Sequence, residues 1–289
     1  MMPRNMTQPI PLFILHWNQP RLCLATIARF REQNAPIVIT VIDNGSKPVN
    51  RSELQRSLPE GVGYVSLENN LGWGGAFNIV LKNWLAAGLG EFCFISAHDA
   101  LAEPECLNRL IEALRIDSRL GIVSPQYGFD HLPVFSPLRG PRLIKVDPRP
   151  YGTVEPVAWV HGTVMGFRKA CLKEIGLFDD RYFAYGDELE ISLRANRRGW
   201  KTAIVWSALV KNPGTSVPSL AVTYLATRGA LLETNDYGGK LSSFIRSALI
   251  VVNTIRLLAA RRLQSDAAVA RLRAVRDFLL GRFGKPRDL

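Results

Sequence analysis

The sequence predicts an α/β protein whose mostly parallel sheet is covered by helices on both faces, in a Rossmann-like arrangement. Short apolar runs rich in Val, Ile and Phe alternate with helix-length segments from about residue 10 to residue 207, and this alternation is typical of such sheets. Buried strands are predicted over 10–15, 37–42, 62–67 and 91–96, and helices over 20–33, 51–57 and 74–88. Parallel sheets bind ligands at the carboxyl ends of their strands, so the residues that follow each strand are of most interest.

Beyond residue 100 the alternation becomes less regular. We predict a helix over 104–117, a proline-rich loop region over 124–156, a strand over 157–167, a helix over 188–198 and a short strand over 202–206. A long irregular excursion in a compact domain is more often functional than idle. We therefore expect one domain over 8–240, with two halves that meet near residue 100, and a helical tail over 241–289.

The charge is concentrated in that tail. The chain has 289 residues and a formal net charge of +11, and ten Lys/Arg against three Asp in 241–289 give +7 of it. Apolar residues recur there at helical spacing over 241–258 and 272–279, with arginines on the other faces. The pattern predicts two basic amphipathic helices.

Other features exclude several classes of protein. The N-terminal segment lacks the small-residue cleavage site of a signal peptide, and no uninterrupted apolar run of 18 residues occurs, so neither a leader nor a membrane-spanning helix is expected. The four cysteines are scattered without a CxxC pair, which fits buried, reduced thiols. The histidines lack metal-site spacing, and neither a P-loop nor a GxSxG motif is present, which disfavours zinc enzymes, P-loop enzymes and serine hydrolases.

Carboxylates and a glycine-rich loop follow the predicted strands. Asp43 ends the second strand in VIDNGS, where it could accept hydrogen bonds from a ribose or form an ordinary Asx turn. The loop NLGWGGAFN over 70–78 opens a helix after the third strand. Its glycines and helix start favour a diphosphate, unless the loop is a turn without a ligand. Asp99 ends the fourth strand, where a carboxylate suits Mg²⁺ or Mn²⁺.

Three carboxylates, Asp187, Glu188 and Glu190, stand at the predicted start of a helix. Acidic residues in a first helical turn are ordinary dipole partners, and Glu190 can pair with Arg194 one turn on. Alternatively, one carboxylate serves as the general base for a sugar hydroxyl. Both interpretations stay open from the residues alone.

Together these segments resemble the family 2 glycosyltransferases, especially the bacterial rhamnosyltransferase-like members. The matching stretches are HWNQP, VIDNGS, NNLGWGGAFN, SAHDA and the long block GTVMGFRKACLKEIGLFDDRYFAYGDELEISLR, all within 8–216. The resemblance implies a GT-A fold, an inverting displacement and a nucleoside-diphosphate sugar donor such as dTDP-rhamnose or a UDP-hexose. The half over 8–100 would bind the donor, and 101–240 would carry the acceptor and catalysis.

The resemblance also implies residue roles. Glu188 would be the catalytic base with Asp187 beside it, and Asp99 would bind Mg²⁺ or Mn²⁺. The acceptor or phosphate side would include His161, Glu190 and Lys211. The residues expected to contact the donor are His16, Asn18, Asp43, Asn70, Gly72, Gly74 and Asn78.

Three positions depart from the family pattern. Ala97 stands where the first acid of the DxD-type metal motif is expected, and the acidic pair reads Asp-Glu instead of Glu-Asp. Lys211 or Asn212 stands where a histidine often follows the last strand. Because two metal-side groups are missing and a lysine could supply part of the cation's charge, we expect weak or dispensable metal dependence.

The tail and the resemblance together predict the partners. A basic amphipathic helix pair over 241–289 favours an anionic membrane surface. The expected location is therefore the cytoplasmic face of the plasma membrane, and the expected acceptor is a lipid-linked, cell-surface glycan. Alternatively, the tail caps the core or forms a homodimer contact. The rival functions are a non-catalytic sugar-nucleotide-binding protein and a nucleic-acid-binding protein, although no base-reading module is recognisable.

Overall fold

A nine-stranded sheet lies at the centre of the computed structural model, which describes residues 9–88, 90–128, 130–212 and 220–286. In chain order the elements are β1 (Ile10–His16), α1 (Pro20–Arg31), β2 (Ile37–Asn44), α2 (Pro48–Ser57), β3 (Gly63–Leu67), α3 (Gly72–Ala86), β4 (Phe92–Ala97), β5 (Leu101–Ala102), α4 (Cys106–Ile116), β6 (Leu120–Gln126), β7 (His131–Ser136), β8 (Gly140–Lys145), β9 (Val154–Pro156), β10 (Val164–Arg168), α5 (Lys169–Ile175), α6 (Asp187–Arg197), β11 (Lys201–Lys211), α7 (Leu220–Ala259) and α8 (Ser265–Leu279). The strand order is β3-β2-β1-β4-β10-β6-β11-β5, with β9 paired to β11 and a separate β7–β8 hairpin.

The predicted α/β fold is confirmed. β1 to β4 are parallel, and β1 lies between β2 and β4 with apolar residues on both faces. Leu12 packs with Ile27 of α1, whereas Phe13 packs in a second cluster with Phe77 of α3. Successive strand residues point to opposite faces, so the sheet carries one helical layer on each face. The four cysteines are buried free thiols, as expected.

The strand order reverses at β1, because β2 and β3 lie on one side of it and β4 lies on the other. A parallel sheet opens a crevice at the carboxyl ends of its strands at such a switch point. The residues that follow His16, Asn44, Leu67 and Ala97 therefore converge there.

Two predictions for the second half of the chain are wrong in detail. The 124–156 region contains the β7–β8 hairpin and β9, and no strand covers 157–163. Val157 and Val160 are buried in the second core cluster without pairing as a strand. β10 starts at Val164 and runs antiparallel between β4 and β6. A short apolar run in the sequence indicates that a segment is buried. It does not show whether that segment pairs with a neighbouring strand.

The C-terminal helices begin well before residue 241. α7 is broken at Gly239, where the backbone leaves the helical region (φ 85°, ψ 167°). The chain then folds back, because Ser243 Oγ donates to Asn235 Oδ1 (3.4 Å) and Arg246 Nη1 donates to Ala230 O (3.1 Å). The two halves of α7 thus form an antiparallel pair over 220–238 and 240–259.

α8 packs beside the first half of α7 and completes a three-helix bundle. Tyr224 and Leu225 of α7 form an apolar cluster with Ala270 and Ala274 of α8, and 183–184 packs against the same cluster. This part of the predicted tail therefore covers the segment that precedes α6.

The second half of α7 buries polar side chains and exposes apolar ones, which is the opposite of the usual arrangement in a soluble protein. Its buried side chains are small and polar, Ser243, Ser247 and Thr254. Its other face is an apolar stripe, 43–74% exposed, formed by Leu241, Phe244, Ile245, Leu249, Val252, Ile255 and Leu258. Among the described helices, α7 is long and apolar enough to cross a membrane by length and composition alone. This finding revises the expectation based on uninterrupted apolar runs.

Candidate functional site

A cleft of about 660 Å³ opens at the switch point of the sheet. Concave sites with a mostly apolar lining and a few polar groups are typical of small-molecule binding. Its walls come from the carboxyl ends of β1 to β4, the start of α3, the 183–185 segment and the first turns of α7. Polar and aromatic lining residues include Trp17, Asn18, Asn44, Lys47, Asn70, Trp73, His98, Tyr185 and Lys285.

His16 and Asp43 are fully buried at the ends of β1 and β2. Nε2 of His16 accepts the Gln19 N–H (3.1 Å), so Nδ1 carries the proton and donates to Asp43 Oδ2 (2.9 Å). Asp43 Oδ1 accepts from Ser46 N (3.0 Å) and Arg51 Nε (3.3 Å). Burial raises the pKa of Asp43, but the hydrogen bonds from His16 and Ser46 outweigh it and lower that pKa. The pair fixes the loops after β1 and β2, and its direct contact with a donor stays a prediction.

Asn44 holds the glycine loop and was not expected from the sequence. Its Nδ2 donates to Asn70 Oδ1 (3.1 Å) and Gly72 O (3.0 Å), and its Oδ1 accepts the Leu71 N–H (2.9 Å). Asn70 Oδ1 also accepts the Gly72 N–H (2.8 Å). The available signal was its position after a strand in an Asn-Gly turn, where side-chain hydrogen bonds to nearby backbone are common. These hydrogen bonds between Asn44, Asn70 and the loop backbone therefore fix the position of the cleft wall that contains Asn70.

Asn18 has a structural partner on the same side of the cleft. It adopts a left-handed backbone conformation (φ 58°), and its Oδ1 accepts the Lys47 N–H (2.7 Å). Both residues line the cleft. The contact joins the loop after β1 to the start of α2.

The glycines at the start of α3 allow close contact with protein backbone. Trp73 N–H donates to Phe183 O (2.8 Å), and Gly74 N–H donates to Asp187 Oδ2 (3.0 Å). A Cβ on Gly72 would lie 1.9 Å from Phe183 O. The first N–H groups of this helix are thus bound within the protein, contrary to the expectation that they face a diphosphate.

Asn78, one turn further along α3, makes a similar contact. Its Nδ2 donates to Phe178 O (3.0 Å) and Asp180 Oδ1 (3.1 Å), and its Oδ1 accepts the Phe178 N–H (3.0 Å). Its side chain is buried. Asn78 therefore ties α3 to the segment that leads into α6, and a direct donor contact stays a prediction.

The three carboxylates at the start of α6 have different environments. Asp187 is buried, and burial followed by the charge of Glu188 raises its pKa well above the ordinary value. Glu190 is buried in a bidentate pair with Arg194 (2.7 and 3.0 Å) and accepts from Tyr237 Oη (3.3 Å). Glu188 is only half-buried, and its Oε2 accepts the Gly186 N–H (3.3 Å). Glu188 is therefore the accessible carboxylate of the three.

Tyr127 lies within electrostatic range of both Glu188 and Asp99, and it was missed in the sequence. Burial raises the pKa of Tyr127, and the charges of Glu188 and Asp99 raise it further. Its ring packs at 4.2 Å from that of His161, which also contacts Trp159 at 5.1 Å. Burial lowers the pKa of His161 to about 4, so His161 is neutral at pH 7 and contributes an aromatic surface.

Asp99 and Lys211 do not form a charged pair. Asp99 Oδ1 accepts weakly from Asn212 Nδ2 (3.4 Å), whereas Lys211 Nζ forms an ion pair with Glu103 (2.7 Å) and is largely exposed. Lys47 and Lys285 line the cleft, and neither cation was expected from the sequence. Lys285 is the more distant of the two in the chain. It lies beyond α8, and only folding of the bundle brings it to the cleft.

A preformed metal cage does not occur among the residues that the structure describes, because no group of three or more His, Cys, Asp or Glu could hold an ion there. Asp99 is a single carboxylate with Ala97 two residues before it. Mg²⁺ is nevertheless often held by one or two carboxylates together with substrate phosphates. Asp99 thus fits a divalent ion only when a bound diphosphate supplies further oxygens.

A fourth carboxylate, Glu233 of α7, lies against the start of α6. It is buried, and its Oε1 lies 2.6 Å from the position that a Cβ on Gly186 would take. Burial, followed by the charge of Glu188, raises the pKa of Glu233 to about 8, although Arg246 opposes the shift. The first half of α7 therefore places a neutral carboxyl group near Glu188, the candidate base.

We expect Glu233→Gln to stabilise the protein increasingly as the pH rises from 5 to 8. Folded Glu233 keeps its proton up to about pH 8, while the unfolded carboxyl loses it near its ordinary value, so the wild type loses stability across this window. The difference in the free energy of unfolding should grow by a few kcal/mol. Urea unfolding at pH 5, 6, 7 and 8 measures it.

Glu112→Gln on the exposed face of α4 is the matched control, and it should show no such trend. A pH-independent effect of Glu233→Gln would contradict the raised pKa and the proximity of Glu188 that contributes to it.

The comparisons with known proteins agree with this geometry. A stretch of 209 residues is 27% identical to N-acetylglucosaminyl-diphospho-decaprenol L-rhamnosyltransferase of Mycobacterium tuberculosis, in strains CDC 1551 / Oshkosh and ATCC 25618 / H37Rv. The match covers 61% of this chain and 66% of the relative, just under two thirds of the relative's length.

Two solved structures share the fold. The mannosyltransferase PcManGT from Pyrobaculum calidifontis, in complex with GDP-Man and Mn²⁺, has a TM-score of 0.57 at 15% identity over 96% of this chain and 88% of its own. GalNAc-T7 with UDP, GalNAc and Mn²⁺ has a TM-score of 0.61 at 14% identity over 76% of this chain and 48% of its own. These likenesses confirm the GT-A architecture.

Family models identify the chain more directly. Residues 148–228 match the model described as glycosyltransferase like family 2. Residues 12–176, more than half of the chain, match the model described as glycosyl transferase family 2. They include β2 to β10 and the glycine loop, so this chain belongs to glycosyl transferase family 2.

Proposed function

We propose that this chain is an inverting glycosyltransferase that moves a sugar from a nucleoside-diphosphate sugar to an acceptor hydroxyl. The observation that carries the proposal is the half-buried Glu188, which directly follows the buried anchor Asp187. Asp187 accepts the Gly74 N–H, so the start of α6 is fixed to the wall of the cleft. Family membership and the position of the cleft at the switch point support the same activity.

Glu188 acts as the general base in this proposal. Its carboxylate takes the proton of the acceptor hydroxyl while the hydroxyl oxygen attacks the anomeric carbon. The bond from that carbon to the diphosphate breaks on the opposite face, so the nucleoside diphosphate leaves and the configuration inverts. Asp187 is less suited to the role, because it is buried and engaged by Gly74.

The cleft cations would bind the leaving diphosphate. Lys47 and Lys285 line the cleft, and fixed positive charge stabilises a developing anion in a partly dry site. A bound Mg²⁺ or Mn²⁺ would be held by Asp99 and would add positive charge there. Because the protein supplies one carboxylate, we retain the expectation of weak metal dependence.

The activity of the mycobacterial relative and the presence of the bundle support a proposal for the substrates. We propose dTDP-rhamnose or a UDP-hexose as donor and a lipid-linked glycan intermediate of the cell surface as acceptor. We keep the donor half (8–100), the catalytic half (101–240) and the tail (241–289) as the proposed division, although the helical bundle that the tail joins begins at Leu220.

We expect Glu188→Gln to lower transfer by at least about 100-fold, since loss of a general base costs about 10²–10⁴-fold. Donor binding should be retained, because the Gln side chain keeps its size and the Asp187–Gly74 contact is untouched. Transfer is measured as nucleoside diphosphate released from a donor panel with a polyisoprenyl-diphosphate-linked acceptor. Donor binding is measured as a thermal shift.

Glu112→Gln again provides the control and should transfer like the wild type. A donor that stabilises the protein without turnover on any acceptor would favour the rival function, a non-catalytic sugar-nucleotide-binding protein. If the Glu188→Gln variant turned over at the wild-type rate, Glu188 would not be the general base.

We also propose that the apolar stripe on α7 attaches the protein to the cytoplasmic face of an anionic membrane. The second half of α7 is about 30 Å long at 1.5 Å per residue, and the stripe runs along it beside Lys240, Arg256, Arg261 and Arg262. Small residues on its buried face allow close helix packing. Basic residues near an anionic surface each contribute about 1 kcal/mol before screening.

The double substitution Phe244→Glu and Leu249→Glu should lower binding to phosphatidylglycerol vesicles by at least about ten-fold, because it places two charges in the stripe. Co-sedimentation of the full chain measures the binding. The control is Ile116→Glu with Leu138→Glu, at positions 77% and 64% exposed outside the bundle.

Equal binding by both double variants would contradict the membrane proposal. If the stripe variant instead converts a dimer to a monomer in sedimentation velocity without loss of vesicle binding, the stripe is a homodimer interface.

A further inference from the structure

A basic pocket of about 500 Å³ lies on the bundle, between the first half of α7 and the segment that follows α8. Five cationic side chains line it, Arg228, Arg273, Arg276, Arg282 and Lys285. Asp277 is the acidic lining residue, and it is buried. Among the described lining residues, Arg228, Arg276, Arg282 and Lys285 outnumber this carboxylate, which also pairs with Arg273, so the pocket favours a multiply charged anion.

The positions of these cations are fixed by the fold. Asp277 pairs with Arg276 (2.8 Å) and accepts from Tyr224 Oη (3.0 Å). The buried Arg228 donates to the backbone carbonyls of Arg282 (3.2 Å) and Gly284. These contacts hold the segment that follows α8 against α7, so the site is organised before a ligand arrives.

An apolar groove of about 300 Å³ adjoins the basic pocket. The two share Tyr224, Arg273 and Pro286 as lining residues. Leu220, Ala221, Val269 and Ala270 supply most of its apolar lining, and its charged lining residues are Asp266 and Arg273. A ligand that fits both features carries an anionic group joined to a hydrocarbon chain.

Both features are continuous with the cleft proposed for the donor. Lys285 lines the basic pocket and the cleft, and Ala221 lines the groove and the cleft. A ligand that occupies the pocket and the groove therefore lies next to the cleft.

We propose that the basic pocket and apolar groove bind the diphosphate and first isoprenoid units of a polyisoprenyl-diphosphate acceptor. The inference rests on the proposed function for the lipid-linked nature of the acceptor. Planar guanidinium groups match the paired oxygens of phosphates, and the groove removes apolar isoprenoid surface from water. The bundle thus selects the acceptor, while the β1–β4 cleft serves the donor.

The test is direct binding of farnesyl diphosphate to the full chain by isothermal titration calorimetry, without donor or turnover. Inorganic diphosphate has only the group that fits the basic pocket, and farnesol has only the chain that fits the groove. Each should therefore bind at least about ten-fold more weakly than farnesyl diphosphate. UDP and dTDP should not displace farnesyl diphosphate, because Lys285 is the one described lining residue of the basic pocket that also lines their cleft.

Arg276→Glu with Arg282→Glu should lower farnesyl diphosphate affinity by at least about ten-fold, since two charge-assisted contacts are lost. Arg56→Glu with Arg115→Glu changes the charge of the chain equally at two exposed positions on α2 and α4, outside the bundle and the pocket, and should bind like the wild type. Val269→Gln alters an exposed groove residue and should weaken farnesyl diphosphate but not inorganic diphosphate.

Three outcomes would overturn the proposal: unchanged affinity in the Arg276/Arg282 variant, equal affinity for inorganic diphosphate, or displacement by UDP or dTDP. The last would assign the pocket to the donor. Because binding is measured without turnover, farnesyl diphosphate binding by a protein that never transfers sugar would refute the proposed enzyme and leave this site intact.

Discussion

Trp73 and Gly74 donate their backbone N–H groups to Phe183 O and Asp187 Oδ2, across more than 100 residues of sequence. These two hydrogen bonds join the helix that opens after β3 to the helix that carries the acidic cluster. Together with the Asn78 contacts to Phe178, they hold the cleft at the carboxyl ends of the strands and the candidate base in one unit. The glycines matter here because only a residue without Cβ lets the two backbones approach so closely.

Much of the fold followed from the sequence, because the strands of a buried parallel sheet are short apolar runs and their periodicity is visible. The segment over 157–163 was mistaken for a strand, since burial of Val157 and Val160 leaves the same apolar pattern. In the site, the carboxylates were visible as motifs. Tyr127 and Lys285 were not, because their relevance depends on long-range packing that brings them to Glu188 and to the cleft.

The bundle changes the interpretation of the basic C-terminal region. The sequence showed an excess of arginines but not where they would lie. Folding divides them between a pocket around Asp277, beside α8, and the exposed turn that contains Arg261 and Arg262. Apolar side chains are divided as well, since Ala270 and Ala274 pack inward while the stripe on α7 faces outward. In our proposals, the bundle therefore carries one surface for a membrane and a separate one for an amphipathic substrate.

The central claim is that the glycine loop makes an intramolecular backbone contact that fixes the candidate base to the cleft. A pair of glycine substitutions tests this claim most directly. Gly72 and Gly61 have nearly equal φ angles, 79° and 80°, but a Cβ on Gly61 meets nothing within 4 Å. Gly61→Ala should therefore cost about 1 kcal/mol of unfolding free energy from backbone strain alone. Gly72→Ala should cost at least about 2 kcal/mol more, because its Cβ would overlap Phe183 O. Equal losses in urea unfolding would contradict the account.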